Sequence, residues 1–129
     1  MILPKIGITC YPNQGGSGVV ASELGLHLAR RGCEVHFISS DLPFRLRGYE
    51  EKIFYHRVEM PNYPVFQHSP YTLSLATMMS EVALLHGLDI LHVHYAIPHA
   101  VSAYLARQML AGRKDLKVVT TLHGTDITL

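Results

Sequence analysis

Short apolar runs rich in β-branched residues alternate along this chain with longer segments whose apolar residues recur every three or four positions. The first run, Lys5 to Cys10, is stopped by Tyr11-Pro12-Asn13-Gln14-Gly15-Gly16, which is turn chemistry, and predicts a strand followed by a glycine loop. From Val19 the spacing becomes helical, with Val20, Leu24 and Leu28 on one stripe, Ser17 placed as N-cap and Gly32 as the stop. Cys33 to Ser39 predicts a second strand, and Ile53 to Glu59 a third after a polar connection carrying Arg45 and Arg47. Ser69-Pro70 predicts the start of a helix with the stripe Leu75, Met78, Met79, Val82 and Leu85, ended by Gly87. A strand from Asp89 to His94, a helix opened by Pro98 and bearing Val101, Leu105 and Met109, and a strand from Lys117 to Leu122 complete the pattern. Strands alternating with helices predict an α/β fold, a doubly wound parallel sheet whose ligands sit beyond the carboxyl ends of the strands.

Composition narrows the function classes. With 129 residues the chain is one domain's worth, and 48% apolar against 16% charged residues excludes a disordered chain. Eleven basic and ten acidic side chains leave a net charge of +1, so no broad field directs the protein to nucleic acid or an anionic membrane. Any anion must be bound locally. The start lacks a basic segment followed by a long apolar run, and no apolar stretch reaches the roughly 18 residues of a spanning helix, so a cytoplasmic location is expected. Cys10 and Cys33, with no C-x-x-C spacing, are expected to be small buried hydrophobes and not a disulfide or thiolate metal site. The last strand delivers polar groups to the carboxyl edge just as the chain stops, so a fragment of a longer protein is expected.

Three stretches carry candidate chemistry. At Gly15-Gly16-Ser17-Gly18 the glycines allow close backbone approach and the first helical N–H groups are left without intrahelical acceptors, a setting for phosphate. The loop is neither a dinucleotide fingerprint, because Ala21 or Ser22 stands near the third glycine, nor a P-loop, because no G-K-[ST] follows; a tight turn without ligand is the alternative. His92-Val93-His94-Tyr95 reaches the same sheet edge, and with His99 and His123 raises the question of zinc. No H-x-x-x-H helix pair supports it, so polar site lining or buried hydrogen-bonded histidine is expected and no metal. In Val118 to Asp126, Thr121 and His123 share a face with Leu122 turned to the core; Asp126 is either a site residue or only a helix cap. A receiver domain would need acids after the first strand, where Tyr11-Pro12-Asn13 stands. A nicotinamide dehydrogenase would need a clearer ribose-binding acid than Ser39-Ser40-Asp41 offers.

The segments G-I-T-C-Y-P-N-Q-G-G-S-G, L-P-F-R-L, L-D-I-L-H-V-H-Y-A-I-P-H-A and V-V-T-T-L-H-G-T-D, together with Phe66, Gln67, Pro70 and Tyr71, resemble the amino-terminal domain of glycosyltransferase family four. The resemblance implies the acceptor-side Rossmann-like half of a GT-B fold over residues 1–129, with the donor-binding carboxy-terminal domain absent from this sequence. It implies a retaining, metal-independent and cofactor-free transfer of N-acetylglucosamine from UDP-N-acetylglucosamine to the hydroxyl of L-malate, the first step of bacillithiol biosynthesis. A homo-oligomer is compatible with it. By the same resemblance Gly15 and Gly16 meet the donor diphosphate, Ser17, Tyr95, Thr120 and Thr121 bind the acceptor, His123 is the catalytic residue beside the donor sugar, and His94 and Asp126 are further candidates. The family's donor-side acidic motif has no counterpart here, so the fragment alone is expected to be inactive. The alternative is a free-standing small-ligand or nucleotide-binding module.

Overall fold

Five strands, β1 (Ile6–Thr9), β2 (Val35–Ser39), β3 (Ile53–Arg57), β4 (Ile90–His94) and β5 (Lys117–Thr121), form one all-parallel sheet in the order β3-β2-β1-β4-β5. They belong to a computed structural model that describes residues 2–12, 15–43, 45–46, 48–61, 64–65 and 70–128. Arg47, Phe66, Gln67 and Ser69 lie outside the described residues. The helices are α1 (Gly16–Arg30), α2 (Tyr71–His86), α3 (Val101–Met109) and the short α4 (Gly124–Thr128), with a wide π-type turn at Ala96–Ala100 before α3. This is the doubly wound Rossmann-like architecture expected from the alternation of elements. Among the described residues no helix is long and apolar enough to cross a membrane.

Alternation along the strands feeds two cores. Ile6, Ile8, Cys10, Val35 and Phe37 point to the face covered by α1, where they meet Ala21, Leu26 and Ala29. Ile38, Leu91 and Val93 point to the other face, where Leu75, Met79 and Val82 of α2 and Ala103 and Ala106 of α3 close over them. Both cysteines are free and buried, and burial pushes the Cys10 thiol up to about 12, which leaves it inert at neutral pH. Gly87 ends α2 in the left-handed conformation at φ 71°, as its place in the sequence predicts.

Several expected faces and caps are corrected. Gly15, not Ser17, is the N-cap of α1; Ser17 lies in the first turn with 6% of its surface exposed. The buried side of α1 is Gly18, Ala21, Ser22, Gly25, Leu26 and Ala29, while Val20 is 49% exposed. Likewise α3 buries Ser102, Ala103 and Ala106 and leaves Val101 and Met109 about half out; it begins at Val101, after Pro98 has turned the chain. Leu85 on α2 is 81% exposed and Leu122 is 54% exposed, so neither joins the core, whereas Pro70 caps α2 as the sequence predicts. For the buried side of α1 the reason is close approach. A Cβ built on Gly25 would stand 2.3 Å from Phe37 Cζ, so α1 sits on the sheet at a separation that only small side chains permit.

Replacing Gly25 by Ala tests this. Alanine gains helix propensity of about 1 kcal/mol, but the Phe37 ring is fully buried and cannot withdraw without disturbing its neighbours. Overpacking costs about 1–3 kcal/mol, so Gly25→Ala is expected to lower the urea midpoint. Gly16→Ala, whose new Cβ meets nothing within 4 Å, is expected to leave it within about 0.5 kcal/mol of the parent.

Candidate functional site

Where the strand order reverses between β1 and β4, the segments that follow those strands run side by side and leave a cleft of about 660 Å³. Tyr11, Gly15, Gly16 and Ser17 wall it after β1, Tyr95, Ala96 and Ile97 after β4, and Thr125 and Asp126 after β5. Gly15 is extended at φ −69° and ψ 167°, and among the described residues no side-chain hydrogen bond caps the helix that follows it. Val19 N–H is the first to bond back, to Gly15 O at 3.2 Å, so the amides of Gly16, Ser17 and Gly18 have no intrahelical acceptor. The first turn of this 15-residue helix holds no acidic residue. Dipole and amides together favour an anion there by on the order of 1 kcal/mol.

Asp126 ties the other two walls together. Its Oδ2 accepts the His123 N–H at 3.0 Å, the reach of a third-position acid back to the residue before its helix, and its Oδ1 accepts the Ala96 N–H at 3.2 Å. It is therefore both helix cap and cleft residue, joining two alternatives that the sequence left apart. Tyr95 stands at φ 78°, a left-handed conformation that costs a non-glycine residue about 1–3 kcal/mol. Its N–H donates to Thr121 O at 3.1 Å, and its ring lies 5.6 Å from Tyr11 and 4.9 Å from His123.

Behind this wall the histidines form a line in which His94 and His99 are fully buried. His94 is fully buried, with Nδ1 3.1 Å from His123 Nε2, and it stacks on His92 at 4.9 Å with ring planes 11° apart. Its carbonyl accepts the His99 Nδ1–H, which leaves His99 Nε2 as acceptor for the Tyr71 hydroxyl at 3.0 Å. Burial, reinforced by His92, His123 and His99, pushes the His94 imidazole down to about 4, and burial also lowers His92 and His99. Tyr11 is raised, first by burial and then by the nearby Tyr95 and Asp126. Among the described residues His94 Nε2 is buried without a hydrogen-bond partner, an arrangement that costs about 1–3 kcal/mol.

Of the expected site residues, the cleft gathers Gly15, Gly16, Ser17, Tyr95 and Asp126, with His123 against Tyr95 and His94 one layer deeper. Thr120 and Thr121 do not line it. Thr121 is turned to His92 Nε2 at 2.7 Å, while Thr120, paired with Val93, sits on the opposite face of the sheet. Arg45 pairs with Glu23 of α1 at 3.5 Å, away from the cleft. Tyr11 was not singled out from sequence, although a residue directly after β1 has to stand at the carboxyl edge.

A parallel sheet that reverses beside the start of a helix defines a Rossmann-like α/β domain, and its sequence places it more closely. Residues 14–128 match Glycosyltransferase Family 4, and the chain belongs to that family. It is similar to N-acetyl-alpha-D-glucosaminyl L-malate synthase of Bacillus anthracis, 62% identical over 125 residues that make up 97% of this chain and 32% of that protein. The chain thus spans about a third of the length of the curated relative it matches.

The neutral histidine line has a pH signature. His94 titrates near 4 when folded and near 6.5 when unfolded, so between these values the unfolded chain binds the extra proton. Stability present above about pH 6.5 is expected to be lost as the pH falls towards 4, at about 1.4 kcal/mol per unit for this one group. Urea unfolding at a series of pH values checks this, and His94→Gln is expected to flatten the slope. A parent with pH-independent stability over that range would contradict the neutral, buried assignment.

Proposed function

We propose that the protein carrying this chain is a retaining glycosyltransferase that moves N-acetylglucosamine from UDP-N-acetylglucosamine to the hydroxyl of L-malate. This chain, residues 1–129, supplies the acceptor-side half of a GT-B fold and needs a second, donor-binding domain for turnover. The observation that carries the reading is the cleft in which the open amides of α1 face Tyr95 and Asp126, in a chain 62% identical to a relative of that name.

The chemistry follows from charge. Breaking the bond between the sugar and UDP places negative charge on a phosphate, and amides already fixed at Gly16 and Ser17 meet that charge without reorganising. Ser17 and Tyr95, on facing walls, offer hydroxyls to the acceptor's carboxylates, and His123 beside Tyr95 serves the donor sugar. Retention by a covalent intermediate would require an available carboxylate. The one carboxylate among the described cleft residues, Asp126, spends both oxygens on backbone N–H groups. Front-face attack fits better, with the leaving phosphate accepting the malate hydroxyl proton as the new glycosidic bond forms. Amide and helix-dipole stabilisation takes the part that a divalent metal plays elsewhere, and the setting is cytoplasmic.

UDP release from UDP-N-acetylglucosamine by the full-length protein, with and without malate, tests the reading: release is expected only with malate. Malate-independent release, or none, would overturn the acceptor. A paired substitution isolates the amide. Proline is tolerated at the first helical position and the extended Gly15 suits a following proline, so Gly16→Pro deletes one N–H and keeps the fold. A hydrogen bond to a charged group contributes about 1.5–3 kcal/mol, so Gly16→Pro is expected to cut donor kcat/KM by roughly 10- to 100-fold, while Gly16→Ala stays near the parent.

A further inference from the structure

Away from the cleft, at the β2–β3 edge of the sheet, three imidazoles converge. His36 on β2, His56 on β3 and His86 at the last residue of α2 each offer a ring nitrogen, and the three atoms lie within 4.8 Å of one another. Register explains the meeting. His36 pairs with Phe54 and Ile38 with His56, so both histidines project to the face that α2 covers, and α2 ends there with its His86 carbonyl held by Lys5 Nζ at 3.3 Å. His36 is 1% exposed and the other two are partly buried.

The hydrogen bonds settle which nitrogens are available. Glu34 Oε2 accepts the Nε2–H of His36 at 2.9 Å, which leaves the lone pair of His36 on Nδ1, 2.8 Å from His56 Nε2. A carboxylate behind a histidine in this way is the arrangement that orients imidazoles towards metal ions and raises their basicity. Ring centroids of 5.1 Å for His36–His56, 4.6 Å for His36–His86 and 5.1 Å for His56–His86 keep the three together. Burial holds His36 below its ordinary value, and burial with the two neighbouring imidazoles pushes His56 down to about 4, so both are uncharged at neutral pH. The alternative is a stacked histidine cluster that only fills the sheet edge. That role needs neither three converging nitrogens nor a carboxylate holding the tautomer.

We propose that His36, His56 and His86, backed by Glu34, form a site for a divalent transition-metal ion of the Zn2+ or Ni2+ class that ties β2 and β3 to the end of α2. Tetrahedral bonds of about 2.0–2.1 Å put ligand nitrogens about 3.3 Å apart, so His56 has to open slightly from its 2.8 Å approach to His36 while the partly buried His86 turns in. His56 keeps its proton by moving it to Nδ1, so binding releases no net proton. Lys5, with Nζ 3.9 Å from the same Glu34 oxygen, is 48% exposed and can share that carboxylate from the solvent side. The role is structural and independent of the transfer reaction, because the site lies at β2 and β3 and the cleft at β1 and β4.

The test is titration of the chelator-stripped, full-length protein with Zn2+, followed by calorimetry and by thermal unfolding, with Co2+ as a visible-absorption probe. One saturable equivalent and a raised Tm are expected. His56→Gln and His86→Gln are each expected to weaken binding by more than about tenfold, and Glu34→Gln by roughly tenfold. His27→Gln, on the exposed side of α1, is expected to bind as the parent does. Should His56→Gln fail to fold by circular dichroism, His86→Gln decides. Absence of saturable binding, or parent-like affinity in His86→Gln, overturns the site.

Discussion

The parallel pairing of β1 with β4, from Ile6 opposite Ile90 to Thr9 opposite Val93, is the constraint on which the rest of this structure depends. It interrupts a chain that has stepped outward through β2 and β3 and brings it back to the centre of the sheet. Right-handed crossovers on the two sides of that junction send α1 to one face and α2 with α3 to the other. The segments that follow β1 and β4 therefore meet through Tyr11 and Tyr95 at the sheet edge and part beyond them. The gap between them is the cleft, and only this pairing sets the start of α1 opposite Tyr95.

The walls of the cleft are kept in place by contacts with little slack. Gly25 against Phe37 lowers α1 onto the sheet and so fixes where its first amides point. Asp126 holds the segments after β4 and β5 through two charge-assisted bonds of about 1.5–3 kcal/mol each. That is enough to offset the left-handed backbone of Tyr95, and a site residue is kept in an otherwise unfavourable conformation. The uncharged His92–His94–His99 line extends this rigidity into the interior without burying a net charge.

Local chemistry in the sequence was sufficient for much of this. Each strand, the glycine loop after β1 and the stop at Gly87 were legible because turn residues and periodicity act over a few positions. Gly15, Gly16, Ser17, Tyr95 and Asp126 could be placed at one edge because the carboxyl ends of parallel strands share it. The helix faces were misread for a physical reason. Hydrophobic stripes rank Val20 above Gly25, yet where α1 meets the sheet volume decides burial, because Phe37 stands against it; on α3 Ala103 and Ala106 are buried while Val101 and Met109 are half exposed.

Alone, then, the sequence determined the order and type of elements, the parallel sheet and the edge at which ligands meet it. Tertiary structure decided which side of each helix is buried, that Thr121 turns to His92 while Thr120 faces away, and that Asp126 bridges two loops. It also decided that His36, His56 and His86, far apart in the chain, share one pocket of space. Periodicity and propensity are properties of neighbours along the chain, whereas these contacts depend on strand register and on how closely a helix approaches the sheet, which no local pattern encodes.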